Sequence, residues 1–160
     1  MNAPTAESRA IARYLAEKYQ DQGVPLLGKT LKERAIINQW CEVESQNFNV
    51  AAASLIREMY MSSLEKRPIN EEYLDGCKTK LEAILDVYEV HLSTNKFIAG
   101  NTYSLADALH IPLLNRLLNK KNEVFTGRKH VLAWAEALNS RPSYTKTQEL
   151  NSKWANLRAV

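Results

Sequence analysis

Glycine and proline are scarce, five of each in 160 residues, which argues against a turn-rich β architecture. Cysteine is scarcer still. Cys41 and Cys77 form neither a CxxC pair nor a zinc spacing, so neither a disulfide scaffold nor a structural zinc site is encoded. His91, His110 and His130 likewise share no metal-ligand spacing, and no metal is expected. An excess of one charge is missing too: a formal net charge of +3 is too small to point to nucleic acid or a membrane surface. The basic clusters, Lys120-Lys121 and Arg128-Lys129, flank an expected surface loop. The longest apolar run, Val50 to Ile56 crossed by Ser54, is far short of the roughly 20 residues that span a bilayer. No basic-then-apolar leader opens the chain. The expectation is a soluble protein of a reducing compartment, the cytosol.

What is present is helical spacing almost throughout. Glu7 to Tyr19 carries Ile11, Tyr14, Leu15 and Lys18/Tyr19 on one face, which predicts a first helix. Gly23-Val24-Pro25-Leu26-Leu27-Gly28 interrupts the pattern as a linker. From Lys32 to about Met61, Ile37, Trp40, Cys41, Phe48, Ala51, Ala52, Leu55, Ile56 and Met59 recur at three and four, predicting one long helix. Asn70, followed by Glu71 and Glu72, reads as the cap and acidic first turn of the next helix. Its buried stripe is Leu74, Cys77, Leu81, Ile84, Leu85, Tyr88 and Leu92, with Gly76 inside it, which a close helix contact would explain. Ser104 and Asp107 form a capping pair for a helix through Leu109, Leu113 and Leu117, bent at Pro112. Lys129 to Asn139 turns Val131, Trp134, Ala135 and Leu138 inward. Ser143 or Thr145 caps a last helix through Leu150, Trp154 and Leu157. No segment reads as a strand. The expected fold is an all-α bundle of about six helices.

Three stretches resemble the glutathione transferase family. Glu7-Ser8-Arg9-Ala10-Ile11 is similar to the opening of the third helix of the family's thioredoxin-like domain in the plant phi class. Gln39-Trp40-Cys41-Glu42-Val43-Glu44-Ser45-Gln46 is similar to the first helix of its all-helical domain. Phe97-Ile98-Ala99-Gly100, then Ser104-Leu105-Ala106-Asp107, resembles the signature of its sixth helix. With Asn139-Ser140-Arg141-Pro142-Ser143, the likeness runs from Glu7 to about Leu157. The resemblance implies a remnant of the glutathione-binding domain over 1–22, a linker over 23–31 and the C-terminal helical domain over 32–160. It also implies that the front of the thioredoxin-like domain is lacking, because nothing before Glu7 is similar to a β-α-β unit carrying a catalytic Ser or Tyr.

By the same resemblance, Glu7 pairs with the amino group of glutathione, and Ser8 with nearby N–H groups holds its γ-glutamyl carboxylate. The local alternative is that Ser8 simply caps a helix. Arg9 resembles a dimer-interface arginine, against the plainer reading of a surface charge. Phe48, Ala52, Ile56 and Asn115 are expected at an electrophile pocket, against ordinary core packing. Ser104 and Asp107 are a folding device. Cys41 reads as a buried structural thiol. The catalytic hydroxyl is assigned to no residue. The function implied is addition of glutathione, the co-substrate, to small hydrophobic electrophiles, in detoxification or stress response and impaired in this chain. A homodimer, or a heterodimer with a full-length relative, is possible. The alternative is a non-catalytic helical binding or interaction module of the same descent.

Overall fold

A computed structural model describes residues 6–120 and 122–158, with the side chains of Asn122 and of 154–158 left aside. Lys121, the tail 1–5, and the placement of the Trp154 and Leu157 side chains therefore lie outside the described residues. Among those described there are seven α-helices and no strand beyond an isolated Phe97–Gly100 bridge. They are α1 Ser8–Lys18, α2 Leu31–Val43, α3 Asn49–Glu65, α4 Glu71–Leu92, α5 Leu105–Lys120, α6 Lys129–Asn139 and α7 Pro142–Arg158. A π-helical turn, Glu44–Phe48, joins α2 to α3. The expected long helix is thus one rod with a widened turn in its middle, and the bundle has six rods among the described residues. No helix among the described residues is long and apolar enough to cross a membrane.

The start signals work as local chemistry predicts. Asn70 Oδ1 accepts the Tyr73 N–H at 3.0 Å. Thr30 and Glu33 form a capping box at the start of α2, with Glu33 N–H to Thr30 Oγ1 at 3.2 Å and Thr30 N–H to Glu33 Oε2 at 3.0 Å. The T-x-x-E pattern of residues 30–33 carries that signal in the sequence. In the linker, Gly28 has φ of 76°, and an added Cβ would meet the Cβ of Glu33 at 2.7 Å. Only glycine fits this turn. The last helix begins one residue before the expected cap, with Pro142 in its first position, where a missing N–H costs nothing.

Apolar burial then assembles the rods. The expected stripe of α4 is buried at Leu74, Cys77, Leu81, Leu85, Tyr88 and Leu92, and Ile84 packs at its edge. In α6, Val131, Trp134, Ala135 and Leu138 all face inward. Each fully buried Leu or Phe contributes about 1.5–3 kcal/mol relative to exposure. Two faces differ from the sequence reading. In α5 the buried side runs through Leu105, Ala106, Asp107, His110, Leu114 and Leu117, whereas Leu109 and Leu113 are only partly buried. Its real register was hidden because two of its core residues are polar. In α1 no residue is fully buried, and Leu15 and the C-cap Tyr19 are each 45% exposed. Its attachment runs instead through Ala12, packed on the core, and through polar bonds from Arg9 and Arg13.

Asp107 joins three parts of the chain. Its Oδ1 accepts the Ile98 N–H at 2.9 Å and the Trp134 indole N–H at 2.9 Å. Its Oδ2 accepts the Ser104 N–H at 2.9 Å and the Ser104 hydroxyl at 2.8 Å. The expected back-bond to the cap is there; the Ser104 hydroxyl, however, donates to the carboxylate. Asp107 has no exposed surface.

Replacing Asp107 by Asn puts an NH2 group against donors and leaves buried N–H groups unpaired. The expected loss is on the order of 3 kcal/mol or more, read as a lower urea midpoint. Gly76 behaves oppositely. An added Cβ there meets nothing within 4 Å, so no close helix contact explains this glycine. Gly76→Ala should raise stability by roughly 0.5–1 kcal/mol in the same titration.

Candidate functional site

The start of α1 is unusual. Glu7 stands at the cap position with φ of 62° and ψ of 92°, and no side chain caps this end. A positive φ at a residue other than glycine carries about 1–3 kcal/mol of strain, and such strain clusters at functional sites. The first helical bond runs from the Ile11 N–H to the Glu7 carbonyl at 3.0 Å. The N–H groups of Ser8, Arg9 and Ala10 therefore precede the intrahelical ladder, at the positive end of the helix dipole. Glu7 and Ser8 are both exposed. Ser8 is the first helical residue and not the cap, which sets aside the simple capping role. The local arrangement is an exposed hydroxyl and carboxylate beside unused N–H donors, chemistry suited to an amino acid's carboxylate and ammonium.

Arg9 anchors this start to the bundle. Its Nε donates to Glu44 Oε2 at 2.7 Å and its Nη2 to Glu44 Oε1 at 2.9 Å. Glu44 is 1% exposed and lies in the π-helical turn. The Arg9 guanidinium is held further above its usual range, first by the bond to Glu44 and then by nearby carboxylates, against desolvation. Arg9, expected at a dimer interface or as a free surface charge, thus commits its fork within the chain. Sequence reasoning missed Glu44. A signal was available: Glu44 continues the four-three-four spacing of the buried Ile37, Cys41 and Phe48. A carboxylate on a core face requires a partner, although nothing local names Arg9.

The expected electrophile-pocket residues separate. Phe48 and Ala52 have no exposed surface. Phe48 lies 6.0 Å from the Tyr88 ring and 4.9 Å from that of His110, as core packing. Ile56 is partly buried against the same core. Asn115 instead lines a cleft of about 590 Å³ between α5 and α7, together with Tyr103, Ile111, Pro112, Arg116 and Tyr144. The Arg141 guanidinium stacks on the Tyr103 ring at 3.6 Å. A second cleft, about 440 Å³, lies where the linker meets the loop before α5, lined by Gly28, Glu33, Ile37, Asn101 and Thr102 among others. Glu7 and Ser8 line neither cleft.

Cys41 is 2% exposed, and burial pushes its thiol up to about 11. It stays protonated near neutrality and is no nucleophile. His110 is buried in full, with Nδ1 at 2.7 Å from the Ala106 carbonyl and Nε2 at 2.9 Å from the Tyr88 hydroxyl. A carbonyl only accepts, so Nδ1 carries the proton and Nε2 accepts from Tyr88. Burial holds His110 down at about 4 and pushes Tyr88 up.

The family model for the glutathione S-transferase C-terminal domain matches residues 52–142. Glutathione S-transferase F11 of Arabidopsis thaliana is 39% identical over 146 residues, 90% of this chain and 68% of that relative. The chain belongs to the glutathione S-transferase family. Its relatives include plant transferases of the phi class. The crystal structure of glutathione transferase F7 from Populus trichocarpa aligns with a TM-score of 0.83 at 38% identity, over 89% of this chain and 68% of that one. Glutathione S-transferase I from maize, solved with an atrazine glutathione conjugate, aligns with a TM-score of 0.80 at 32% identity, over 88% and 66%. The chain thus spans about two thirds of the relatives it matches.

The neutral His110 has a consequence for this transferase fold. Its folded value lies below its ordinary 6.5, so the unfolded chain takes up the proton first. The stabilisation is full above about pH 6.5 and is lost as pH falls toward 4, by about 3 kcal/mol in all. Urea midpoints measured from pH 7 to 4 should show this fall. His110→Gln, which cannot take up that proton, should flatten it between pH 6.5 and 5, above the main carboxylate range.

Proposed function

We propose that this chain supplies the γ-glutamyl-binding helix start and the helical domain of a glutathione transferase that adds glutathione to small hydrophobic electrophiles. The observation that carries the reading is the strained, exposed Glu7–Ser8 start of α1 with its free N–H groups. Glu7 takes the ammonium of the γ-glutamyl end. The Ser8 hydroxyl and the first N–H groups of α1 take its carboxylate, favoured by the helix dipole. Residues 1–22 belong on this reading to the glutathione-binding unit, 23–31 to the linker, and 32–160 to the helical domain. Family membership supports it, as do relatives solved with lactoylglutathione and with an atrazine glutathione conjugate.

The chemistry needs the glutathione sulfur as thiolate, which a hydroxyl donor within hydrogen-bond reach stabilises. We assign that donor to no residue of this chain. The electrophile side is assigned to Asn115 in the α5–α7 cleft; Phe48, Ala52 and Ile56, expected beside it, pack in or on the core. No metal enters the reaction on this reading. Pairing with a second copy or a longer relative would use the exposed apolar residues Val50 of α3 and Val87 and Val90 of α4, which are 56%, 62% and 73% exposed. The two free, buried cysteines suit the reducing cytosol, where we place the protein.

Calorimetric titration with glutathione tests the reading. Binding is expected, and Ser8→Ala should weaken it about tenfold, the scale of one hydrogen bond to a charged group. Conjugation of glutathione to a chlorinated nitroarene gives the second readout, compared with the uncatalysed rate. A chain that binds no glutathione at millimolar concentration would leave a non-catalytic helical module as the function.

A further inference from the structure

The last helix turns an unusual face toward the bundle. α7 borders the cleft of about 590 Å³ with Tyr144, Thr147, Gln148 and Asn151. They form one stripe at three- and four-residue spacing, polar where a packed helix would be apolar. On the other side α5 offers Asn115 and Asn119, one turn apart. The backbone of α7 approaches α6 but stands off α5. No side-chain hydrogen bond or ion pair joins the described residues of α5 to those of α7. Two polar faces that do not satisfy each other keep their hydrogen-bonding capacity for a ligand.

That capacity is mixed in kind and uncharged. A carboxamide carries two donors and an acceptor in one plane, and four carboxamides line the cleft. No Asp or Glu lines it among the described residues, and its one cation, Arg116, is exposed. Asn115 is held in place from α6: its Oδ1 accepts from Asn139 Nδ2 at 2.7 Å, while its Nδ2 is buried without a partner in the chain. The Thr147 hydroxyl donates to the Ser143 carbonyl at 2.8 Å, so toward a ligand it accepts. An anion only accepts and an ammonium only donates, and each would leave part of this set unmatched. A hydroxyl group does both. The apolar part of the wall comes from Ile111, Pro112 and the Tyr103 ring, on which the Arg141 guanidinium stacks at 3.6 Å. The volume lies in the range of about 300–1,000 Å³ usual for small-molecule sites.

We propose that the α5–α7 cleft binds an uncharged glycosyl group carried on an aromatic ring, with the facing amides on the sugar hydroxyls and the apolar wall against the ring. The substrates of this chain are then aromatic glycosides. In calling the ligand a substrate, the proposal rests on the assignment of the electrophile side to this cleft under Proposed function; the binding itself does not depend on Glu7 or Ser8.

Binding measured in the absence of glutathione tests this. The probes are 4-nitrophenyl β-glucopyranoside, 4-nitroanisole and 4-nitrobenzoate, which share one ring and differ in carrying a glucosyl, a methyl ether or a carboxylate group. The wild-type chain should bind the glucoside at least tenfold more tightly than 4-nitroanisole. In NMR titrations the glucoside should shift the side-chain amide signals of Asn119 and Gln148. Both residues are exposed, so the double variant Asn119→Ala, Gln148→Ala should keep its circular dichroism. It should lose at least tenfold in affinity for the glucoside and less than about twofold for 4-nitroanisole. No glucoside binding at millimolar concentration, equal affinity for the glucoside and 4-nitroanisole, or a preference that survives the double variant would each overturn the proposal. Tighter binding of 4-nitrobenzoate than of the glucoside would overturn it as well and make Arg116 the selecting group. A glucoside preference in a chain that binds no glutathione would uphold this site and remove only the reading of Glu7 and Ser8.

Discussion

A buried carboxylate with four donors sets the arrangement of this bundle. Asp107 ties the 97–100 loop, the start of α5 and the indole of Trp134 in α6 to one point without exposed surface. Each oxygen receives two bonds, so a full negative charge is tolerated where an unpaired one would cost several kcal/mol. Around that point the apolar faces of α3, α4, α5 and α6 close. Apolar packing gives cohesion, but it is not directional; the angular demands of four hydrogen bonds fix how α5 enters the bundle relative to α6.

A second polar arrangement sits beside the first. His110, one helical turn after Asp107, bridges the Ala106 carbonyl and the Tyr88 hydroxyl, with Phe48 and Trp134 packed on its ring at 4.9 and 5.2 Å. Both ring nitrogens are satisfied in the neutral form, and burial disfavours the charged one. The centre of the domain is therefore built from a charged group that must keep its charge and an imidazole that must not acquire one. Both sit on the same face of α5.

The candidate site lies at the edge of this core. The start of α1 keeps an exposed hydroxyl, an exposed carboxylate and the N–H groups that precede its ladder, and α1 is tied inward by the Arg9–Glu44 pair, the Arg13–Asn38 bond and the packing of Ala12. The rigid bundle and the lightly held helix differ in what stabilises them. Buried apolar area stabilises α4 and α6, whereas α1 depends on a few polar bonds, and local opening is expected first where apolar contacts are few. Glu7 and Ser8 line neither the cleft between α5 and α7 nor the one beside residues 25–29.

How much was legible depended on whether a residue's role is local. The cap at Asn70, the back-bond from the Ser104 N–H to Asp107, the limits of α6, and the inward stripes of α4 and α6 follow from spacing and short-range hydrogen bonding, and all could be read from the amino-acid order. So could the family, because several motifs fall in sequence at the right distances. The inner face of α5 was only partly legible: a packed or hydrogen-bonded His110 and the Asp107 back-bond to Ser104 could be read, but not that Ile98, Trp134 and Tyr88 would supply their other partners. The same holds for Phe48 and Ala52, where helical spacing identifies a buried face but not whether a cavity lies beyond it. Periodicity alone thus determined which residues turn inward on most helices and that the chain is helical. Only the folded chain decided the partners of its charged groups, because Arg9 and Glu44 stand 35 positions apart, and no local rule relates residues that meet only when two helices pack.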